Sequence, residues 1–202
     1  VLFRSYLKKR FGKNKVYLLG KSWGSILGTM YASRYPEDVT AYIGVGQIAD
    51  VKESEKLGYE FTLQEAKKRN DKKALYELKK IESPPGSTIK DVGIERKWVT
   101  KFGGSVYGRT DYLMHWVPKI LSVDEYSWID LIRFMLGHKM SFKLLWPEIF
   151  NTNLFEQVPN LKVPVYFLLG RHDHQTSSKL ASEYFEKLEA PKKELIWFEN
   201  SG

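Results

Sequence analysis

The sequence contains no cysteine, and no apolar run in it comes near the length of a membrane-spanning helix. The lack of cysteine excludes a disulfide scaffold and fits a reducing compartment, so we expect a cytoplasmic protein, although a cysteine-free secreted protein also fits. A span across a bilayer needs about 20 apolar residues, so we expect no membrane partner.

The chain also has fewer acidic than basic residues. The chain has 24 Asp and Glu against 32 Lys and Arg, which gives a net charge of +8. Such a surplus can indicate a nucleic-acid partner. Here, however, the lysines alternate with acidic residues at helical spacing, as in residues 65–69 and 71–73, which is typical of a solvated helix face. We therefore expect no nucleic-acid partner.

The most informative segment is Gly20-Lys21-Ser22-Trp23-Gly24, which lies between an apolar run at 15–19 and a helix-like stretch at 25–35. A G-x-S-x-G pattern in a strand-turn-helix context predicts an exposed serine nucleophile. Gly20 and Gly24 are expected because the sharp turn strains the backbone of Ser22 and leaves no room for side chains on either flank. The backbone N–H of Trp23 is predicted to face the developing oxyanion.

A phosphate-binding loop is the competing interpretation of this segment. Gly20-Lys21-Ser22 also matches the end of the G-x-x-x-x-G-K-[ST] pattern. That pattern requires a glycine at position 15, where the chain has Lys15, and a flexible loop at 16–19, where the residues are apolar. We therefore favour the serine nucleophile.

A second apolar run, at 163–169, leads into Gly170-Arg171-His172-Asp173. It places a carboxylate just past the C-terminal end of a predicted buried strand, which is the edge of a parallel sheet where sites form. Asp173 is therefore the candidate for the acid that orients a catalytic base. A turn role, or an N-cap role for the helix predicted to begin near Ser177, is the alternative, and it does not exclude the first.

These two motifs, together with the closing run at 193–202, resemble the α/β-hydrolase family and, within it, the proline iminopeptidase-like branch of capped serine hydrolases. The resemblance implies the order serine, acid, histidine, with the histidine just after the last strand, predicted at 194–198. It implies cleavage of an ester or amide bond of a small molecule or short peptide through an acyl-enzyme, with no metal or organic cofactor. Epoxide or haloalkane hydrolysis on this fold uses an aspartate where the chain has Ser22.

No catalytic histidine is predicted within the chain; we expect it just after Gly202. Upstream strands and the loop that gives a second oxyanion N–H are also missing, so we interpret the sequence as a fragment that is inactive alone. The histidines present are not favoured as bases, because two flank Asp173 and two lie in the middle region: His172 and His174, then His115 and His138. A lone H-x-H pattern is weak for a metal site, and none is expected.

The predicted fold class is α/β, a partial α/β-hydrolase with a mainly parallel sheet, flanking helices and a helical cap. Residues 1–49 are predicted to form the first part of the core, 50–153 the cap and 154–202 the second part. Strands are predicted at 16–19, 40–45, 163–169 and 194–198, and helices at 5–11, 25–34, 54–69, 72–81, 91–101 and 124–136. Breaks are predicted at 83–86, 103–104 and 146–147.

The predicted cap is rich in aromatic residues, which could line a pocket, although most are expected to pack helices together: Trp98, Tyr107, Tyr112, Trp116, Tyr126, Trp128 and Trp146. Acids of the cap hold the substrate amino group in the iminopeptidase-like branch, and Glu148 is a loosely matching candidate. A ligand-binding protein that keeps the fold without catalysis is the alternative function. The sequence does not determine the oligomeric state.

Overall fold

The computed structural model describes residues 2–81, 88–110, 117–120 and 122–202. Their contacts form two compact units, which are described separately. The sheet unit comprises residues 1–50, 153–171 and 176–201, and the helical unit comprises residues 51–152, 172–175 and 202.

The elements of the sheet unit are, in chain order, α1 (Leu2–Phe11), β1 (Val16–Lys21), α2 (Trp23–Arg34), β2 (Val39–Val45), α7 (Leu154–Gln157), β3 (Val165–Gly170), α8 (Ser178–Lys187) and β4 (Lys193–Phe198). A short 3-10 turn at Pro36–Asp38 precedes β2. The helical unit contains α3 (Val51–Lys68), α4 (Lys72–Leu78), α5 (Ile89–Lys101) and α6 (Trp128–Phe150).

The four strands form one parallel sheet in the order β1-β2-β3-β4. This arrangement confirms the predicted α/β class, and the predicted strands differ from the observed ones only at their ends. Because all four strands run in the same direction, their C-terminal ends share one edge of the sheet. Ser22 and Arg171, which directly follow β1 and β3, therefore both leave the sheet at this edge.

The core of the sheet unit lies on the two inner strands, β2 and β3. Tyr42 and Phe167 are fully buried and meet edge to face, with their ring centroids 6.5 Å apart. Phe167 also packs on Tyr184 of α8, at 6.0 Å between centroids. On α2, a Cβ added at Gly28 would lie 2.6 Å from Cε2 of Tyr42, so the glycine allows the helix to approach β2 closely.

Helix α1 is attached to the sheet unit by ion pairs. Arg4 and Lys8 both bind the carboxylate of Asp38, which is buried at the turn before β2. The hydrogen bond from Lys8 lowers the pKa of Asp38, and the charge of Arg4 acts in the same direction. The pair therefore keeps this buried carboxylate ionised.

The helical unit has its own core, formed by apolar faces of α3, α4 and α5 and the residues that follow α4 and α5: Ala66, Ala74, Leu78, Ile81, Trp98 and Phe102. The indole Nε1 of Trp98 donates to Glu77 Oε2 at 2.9 Å, which satisfies the buried N–H. Side-chain caps begin two of the helices, because Asp71 accepts from the N–H of Ala74 and Thr88 from that of Asp91.

The prediction for helix α6 is wrong at both ends. The helix begins at Trp128 instead of Asp124, because Ser127 and Asp130 form a capping box. It also continues through the predicted break at Trp146-Pro147 to Phe150. Trp146 is buried and lies between Phe142 and Phe150, at 4.8 and 5.7 Å between ring centroids, and this stack supports the turn that contains the proline.

The other predicted breaks have different outcomes. Helix α5 ends at Lys101, and Gly103 has φ 82°, so the break at 103–104 is confirmed. Residues 83–86 lie outside the described part of the chain, as do Tyr112, His115 and Trp116. Within the described ranges, no helix has both the length and the hydrophobicity that crossing a membrane requires.

Candidate active site

Ser22 is the single residue between the end of β1 and the start of α2. Its backbone has φ 51° and ψ −123°, a conformation that non-glycine residues rarely adopt. Such a conformation costs about 1–3 kcal/mol and persists only where the surroundings impose it. The predicted strand-turn-helix context and the strained backbone of Ser22 are confirmed.

The two glycines of the motif differ in their surroundings. A Cβ on Gly20 would lie 2.6 Å from the carbonyl oxygen of Gly24 and 2.8 Å from Cα of Ser25, so this position has no room for a side chain. A Cβ on Gly24 would meet nothing within 4 Å. The prediction of steric exclusion is right for Gly20 and wrong for Gly24, because Gly24 lies inside the first turn of α2 and its added Cβ would enter open space.

Hydrogen bonds around Ser25 hold the turn in place. The N–H of Ser22 donates to the carbonyl of Val45 on β2 at 3.0 Å, and the N–H of Ser25 donates to the carbonyl of Ser22 at 2.8 Å. The buried hydroxyl of Ser25 donates to that same carbonyl at 2.5 Å and accepts from the N–H of Ile48 at 3.0 Å. Ser25 therefore connects the turn to the segment that follows β2.

Three buried polar side chains, those of Tyr42, Gln47 and Thr29, form a hydrogen-bond network that includes the carbonyl of Ser25. The hydroxyl of Tyr42 lies 2.9 Å from the carbonyl oxygen of Ser25 and 2.7 Å from Oε1 of Gln47. The amide of Gln47 donates to Thr29 Oγ1 at 3.2 Å and to the carbonyl of Ile48 at 2.7 Å. Burial raises the pKa of Tyr42, so its hydroxyl stays protonated. This network was not predicted from the sequence, in which the glutamine directly after Gly46 is its one visible signal.

Asp173 comes three residues after the end of β3 and belongs to the helical unit. Its Oδ1 accepts a hydrogen bond from the N–H of Gln175 at 2.9 Å, which confirms the predicted turn role. The predicted N-cap role is wrong, because Ser177 caps α8 by accepting from the N–H of Leu180. An N-cap must directly precede its helix, and Asp173 lies too early in the loop.

The acid loop, residues 172–175, is fixed within the helical unit by aromatic stacking. The ring centroids of His174 and Phe61 are 3.9 Å apart with an angle of 6° between the planes, and the backbone N–H of His174 donates to the carbonyl of Gly104 at 2.9 Å. The ring of His172 stacks on Tyr107 at 4.3 Å. Partial burial lowers the pKa of His174, which favours the neutral ring in this stack.

No metal site is formed by the described residues, in which no three His, Cys, Asp or Glu side chains come together. The stacked rings of His172 and His174 instead give the H-x-H pattern a structural role in the acid loop. Gly202 approaches this loop closely, since a Cβ on it would lie 2.8 Å from the carbonyl oxygen of His172.

Arg96 connects the acid loop to two buried carboxylates. One arm of its guanidinium binds Glu55, and Nη1 lies 3.3 Å from Oε2 of Glu95. Nη1 also donates to the carbonyl of Gln175 at 3.2 Å, and the N–H of Gln175 in turn donates to Asp173. The positively charged guanidinium of Arg96 is therefore hydrogen-bonded to the loop that carries the candidate acid. None of these three charged residues was predicted from the sequence to lie near the candidate acid.

Glu95 has an unusual electrostatic environment. It is fully buried, and neither of its carboxylate oxygens accepts a hydrogen bond from any described residue. Burial raises its pKa from 4.5 to about 8; the charge of Arg96 opposes this effect and that of Glu55 adds to it. Burial raises the pKa of Glu55 in the same way. Glu95 therefore holds a proton at neutral pH.

Glu148, the loose candidate for holding a substrate amino group, is exposed in the last turn of α6.

The aromatic residues of the predicted cap fall into two groups. Trp98 and Trp146 are buried and pack helices, whereas Tyr107, Tyr126 and Trp128 are exposed. The structure therefore supports the packing role for the first group only.

Adding one methyl group at each glycine of the motif separates their roles. We expect Gly20→Ala to lower the free energy of unfolding by about 1–3 kcal/mol, because its Cβ overlaps backbone that cannot move independently. Gly24→Ala is expected to be neutral or stabilising by up to about 1 kcal/mol, since alanine favours the helix and the space is open. Urea unfolding of both variants measures the difference. Equal losses would contradict the assignment.

Glu95→Gln should change the pH dependence of stability. Between the unfolded pKa near 4.5 and the folded pKa of about 8, only the folded chain keeps this proton. The stabilisation is complete below pH 4.5 and is lost as pH rises toward 8. Relative to the parent chain, Glu95→Gln should therefore gain about 3–4 kcal/mol in unfolding free energy between pH 5 and pH 8.

Glu60→Gln is the matched control for that experiment, because Glu60 is an exposed glutamate on α3. Its unfolding free energy relative to the parent should change little over the same pH range. If Glu95→Gln shows the same offset at pH 5 and pH 8, the carboxyl of Glu95 is not protonated preferentially in the folded chain.

Comparison with known proteins agrees with this geometry. The family model described as alpha/beta hydrolase fold matches residues 2–78. The probable aminopeptidase YbaC of Bacillus subtilis (strain 168) is 29% identical over 197 residues, which cover 98% of this chain and 62% of YbaC. The chain thus spans less than two thirds of the length of this curated relative.

Solved structures show the same fold at low sequence identity. Proline iminopeptidase from Mycobacterium smegmatis has a TM-score of 0.60 at 14% identity, covering 97% of this chain and 61% of that one. The esterase EaEST from Exiguobacterium antarcticum has a TM-score of 0.54 at 17% identity, covering 97% and 62%. With its parallel sheet and its strand-turn-helix junction at Ser22, the chain has the α/β-hydrolase fold.

Proposed function

We propose that this chain carries the nucleophile and the acid of a serine hydrolase that cleaves an amide or ester bond through an acyl-enzyme. The observation that carries the proposal is the backbone of Ser22, with φ 51° and ψ −123° at the junction of β1 and α2. A strained backbone conformation persists only where the surrounding structure imposes it, and such conformations are concentrated at functional sites.

Ser22 is the proposed nucleophile, and its Oγ attacks the substrate carbonyl carbon. The backbone N–H of Trp23, the first residue of α2, stabilises the negative charge that develops on the carbonyl oxygen. Helix α2 is 12 residues long and has no acidic residue in its first turn. The positive end of its dipole is therefore not neutralised by its own side chains and favours the oxyanion.

Asp173 is the proposed acid, and a histidine that follows Gly202 in the intact protein is the proposed base. The histidine takes the proton from Ser22 Oγ and later gives it to the leaving amine or alcohol. Asp173 fixes the orientation of that imidazole, and the hydrogen bond from Gln175 orients the aspartate itself. In the second step, the same histidine takes a proton from a water molecule, which attacks the acyl-enzyme, and gives that proton to Ser22 Oγ as the acyl group leaves. No step requires a metal or an organic cofactor.

The proposed substrate is a small molecule or a short peptide with a free N-terminus, as an aminopeptidase of proline iminopeptidase type would use. This part of the proposal is supported by YbaC, which is named a probable aminopeptidase, and by the fold shared with the M. smegmatis proline iminopeptidase. In this proposal, the helical unit acts as a cap that excludes water from the reaction.

Replacing Ser22 tests the proposal in the protein expressed from its full reading frame. We expect Ser22→Ala to lower kcat/KM for amino-acid p-nitroanilides by about a thousandfold or more, because the acyl-enzyme cannot form. Ser33→Ala is the control, since Ser33 is an exposed serine on the same helix, and it should leave kcat/KM unchanged. The 202-residue chain alone should show no turnover.

Full activity of Ser22→Ala would contradict the serine mechanism. A full-length protein that binds these substrates without hydrolysing them, and whose sequence has no histidine after the last strand, would instead support a ligand-binding protein on the same scaffold.

A further inference from the structure

A pocket of about 450 Å³ lies within the helical unit, next to the acid loop. This volume is in the range of sites for small ligands, which are typically about 300–1,000 Å³. The residues that line it come from α3, from the segment after α5 and from the acid loop: Phe61, Glu65, Arg69, Phe102, Gly103, Tyr107, Gly108, Arg109, Thr110, His172 and His174.

The walls of the pocket contain two stacked pairs of rings and one arginine that lies over a phenylalanine ring. The rings of Phe61 and His174 are parallel, and Tyr107 stacks on His172. The guanidinium of Arg69 lies 4.8 Å from the centroid of the Phe102 ring. Each planar side chain is held by its partner, so the pocket offers ordered flat surfaces to which a planar apolar group can pack at little entropic cost.

Among the described residues that line the pocket, two arginines, Arg69 and Arg109, stand against one acidic residue, Glu65. Arg69 is neutralised, because its guanidinium binds the carboxylate of Glu65 through Nε at 2.9 Å and Nη2 at 2.8 Å. Arg109 also lines the pocket, and its side chain is exposed. Among the described residues, no ion pair is formed by the guanidinium of Arg109. Arg109 therefore contributes to the lining of the pocket a positive charge that has no counter-charge among the described residues.

We propose that this pocket binds a small aromatic carboxylate. The planar body of the ligand packs against the open faces and edges of these rings, because the stacked pairs leave no gap between them, and its carboxylate accepts from the guanidinium of Arg109. Arginine suits this role because its planar fork matches the two oxygens of a carboxylate. The carboxyl-terminal aromatic residue of a short peptide has the same chemistry.

The inference goes beyond the proposed function, because it concerns binding and holds whether or not Ser22 is a nucleophile. His172 and His174 flank Asp173, so a ligand in this pocket touches the loop that carries the candidate acid.

The experiment uses the 202-residue chain and sodium benzoate as the probe, with the imidazole resonances followed by NMR. We expect saturable shifts of His172 and His174 and none of His138, which is on α6 and does not line the pocket. Arg109→Gln should weaken benzoate binding about two- to fivefold, the effect of one partly exposed ion pair. Benzamide, which lacks the charge, should bind more weakly by the same factor.

Arg133→Gln is the matched control, because Arg133 is an exposed arginine on α6 outside the pocket, and it should bind benzoate like the parent chain. Arg109→Lys keeps the charge but lacks the planar fork, so its affinity should lie between those of the parent chain and Arg109→Gln, which separates loss of charge from loss of folding. Equal affinity for benzoate and benzamide, unchanged binding by Arg109→Gln, or shifts of His138 equal to those of His172 would overturn the proposal.

Discussion

The reversal of the backbone at Ser22 is the constraint on which the rest of the candidate site depends. A parallel strand passes into a helix through one residue, and that residue has a strained conformation. Two features keep it there: backbone of α2 packed against Gly20 with no space for a Cβ, and the hydroxyl of Ser25 bound to the carbonyl of Ser22. The position of the candidate nucleophile is therefore a property of packing and hydrogen bonding, not of a flexible loop.

Polar groups buried beneath the turn extend this constraint into the core of the sheet unit. Tyr42 and Gln47 are fully buried, and their hydrogen bonds reach Ser25, Thr29 and Ile48. A buried polar network of this kind is costly when incomplete and fixes one arrangement when complete. In the helical unit, Arg96 has a comparable role, because it connects buried carboxylates to the loop of the candidate acid.

Local patterns in the sequence were sufficient to predict the sheet and the elbow. The strands are short apolar runs with clear ends. In the motif at 20–24, position 20 has room only for glycine, because a side chain there would overlap the backbone of the following turn. The errors have tertiary causes. Pro147 does not end α6, because Trp146 packs between Phe142 and Phe150. The motif alone could not show that a Cβ at Gly24 meets open space.

The buried charges were missed for a related reason. Glu55, Glu95 and Arg96 lie in sequences that alternate charges at helical spacing, and such patterns usually indicate a solvated surface. Only the packing of the helical unit shows that these residues are buried and that Arg96 reaches the acid loop. The roles of Ser22, Trp23 and Asp173 stay predictions, since they concern chemistry and not position.

The most direct test of the central claim is to map the covalent adduct that a fluorophosphonate forms with the full-length protein. Digestion and mass spectrometry identify the modified residue. We expect a single adduct on Ser22, because this serine combines a strained backbone at the end of β1 with the first N–H of α2. An adduct on another residue, or substrate turnover by a protein that the reagent does not modify, would contradict it.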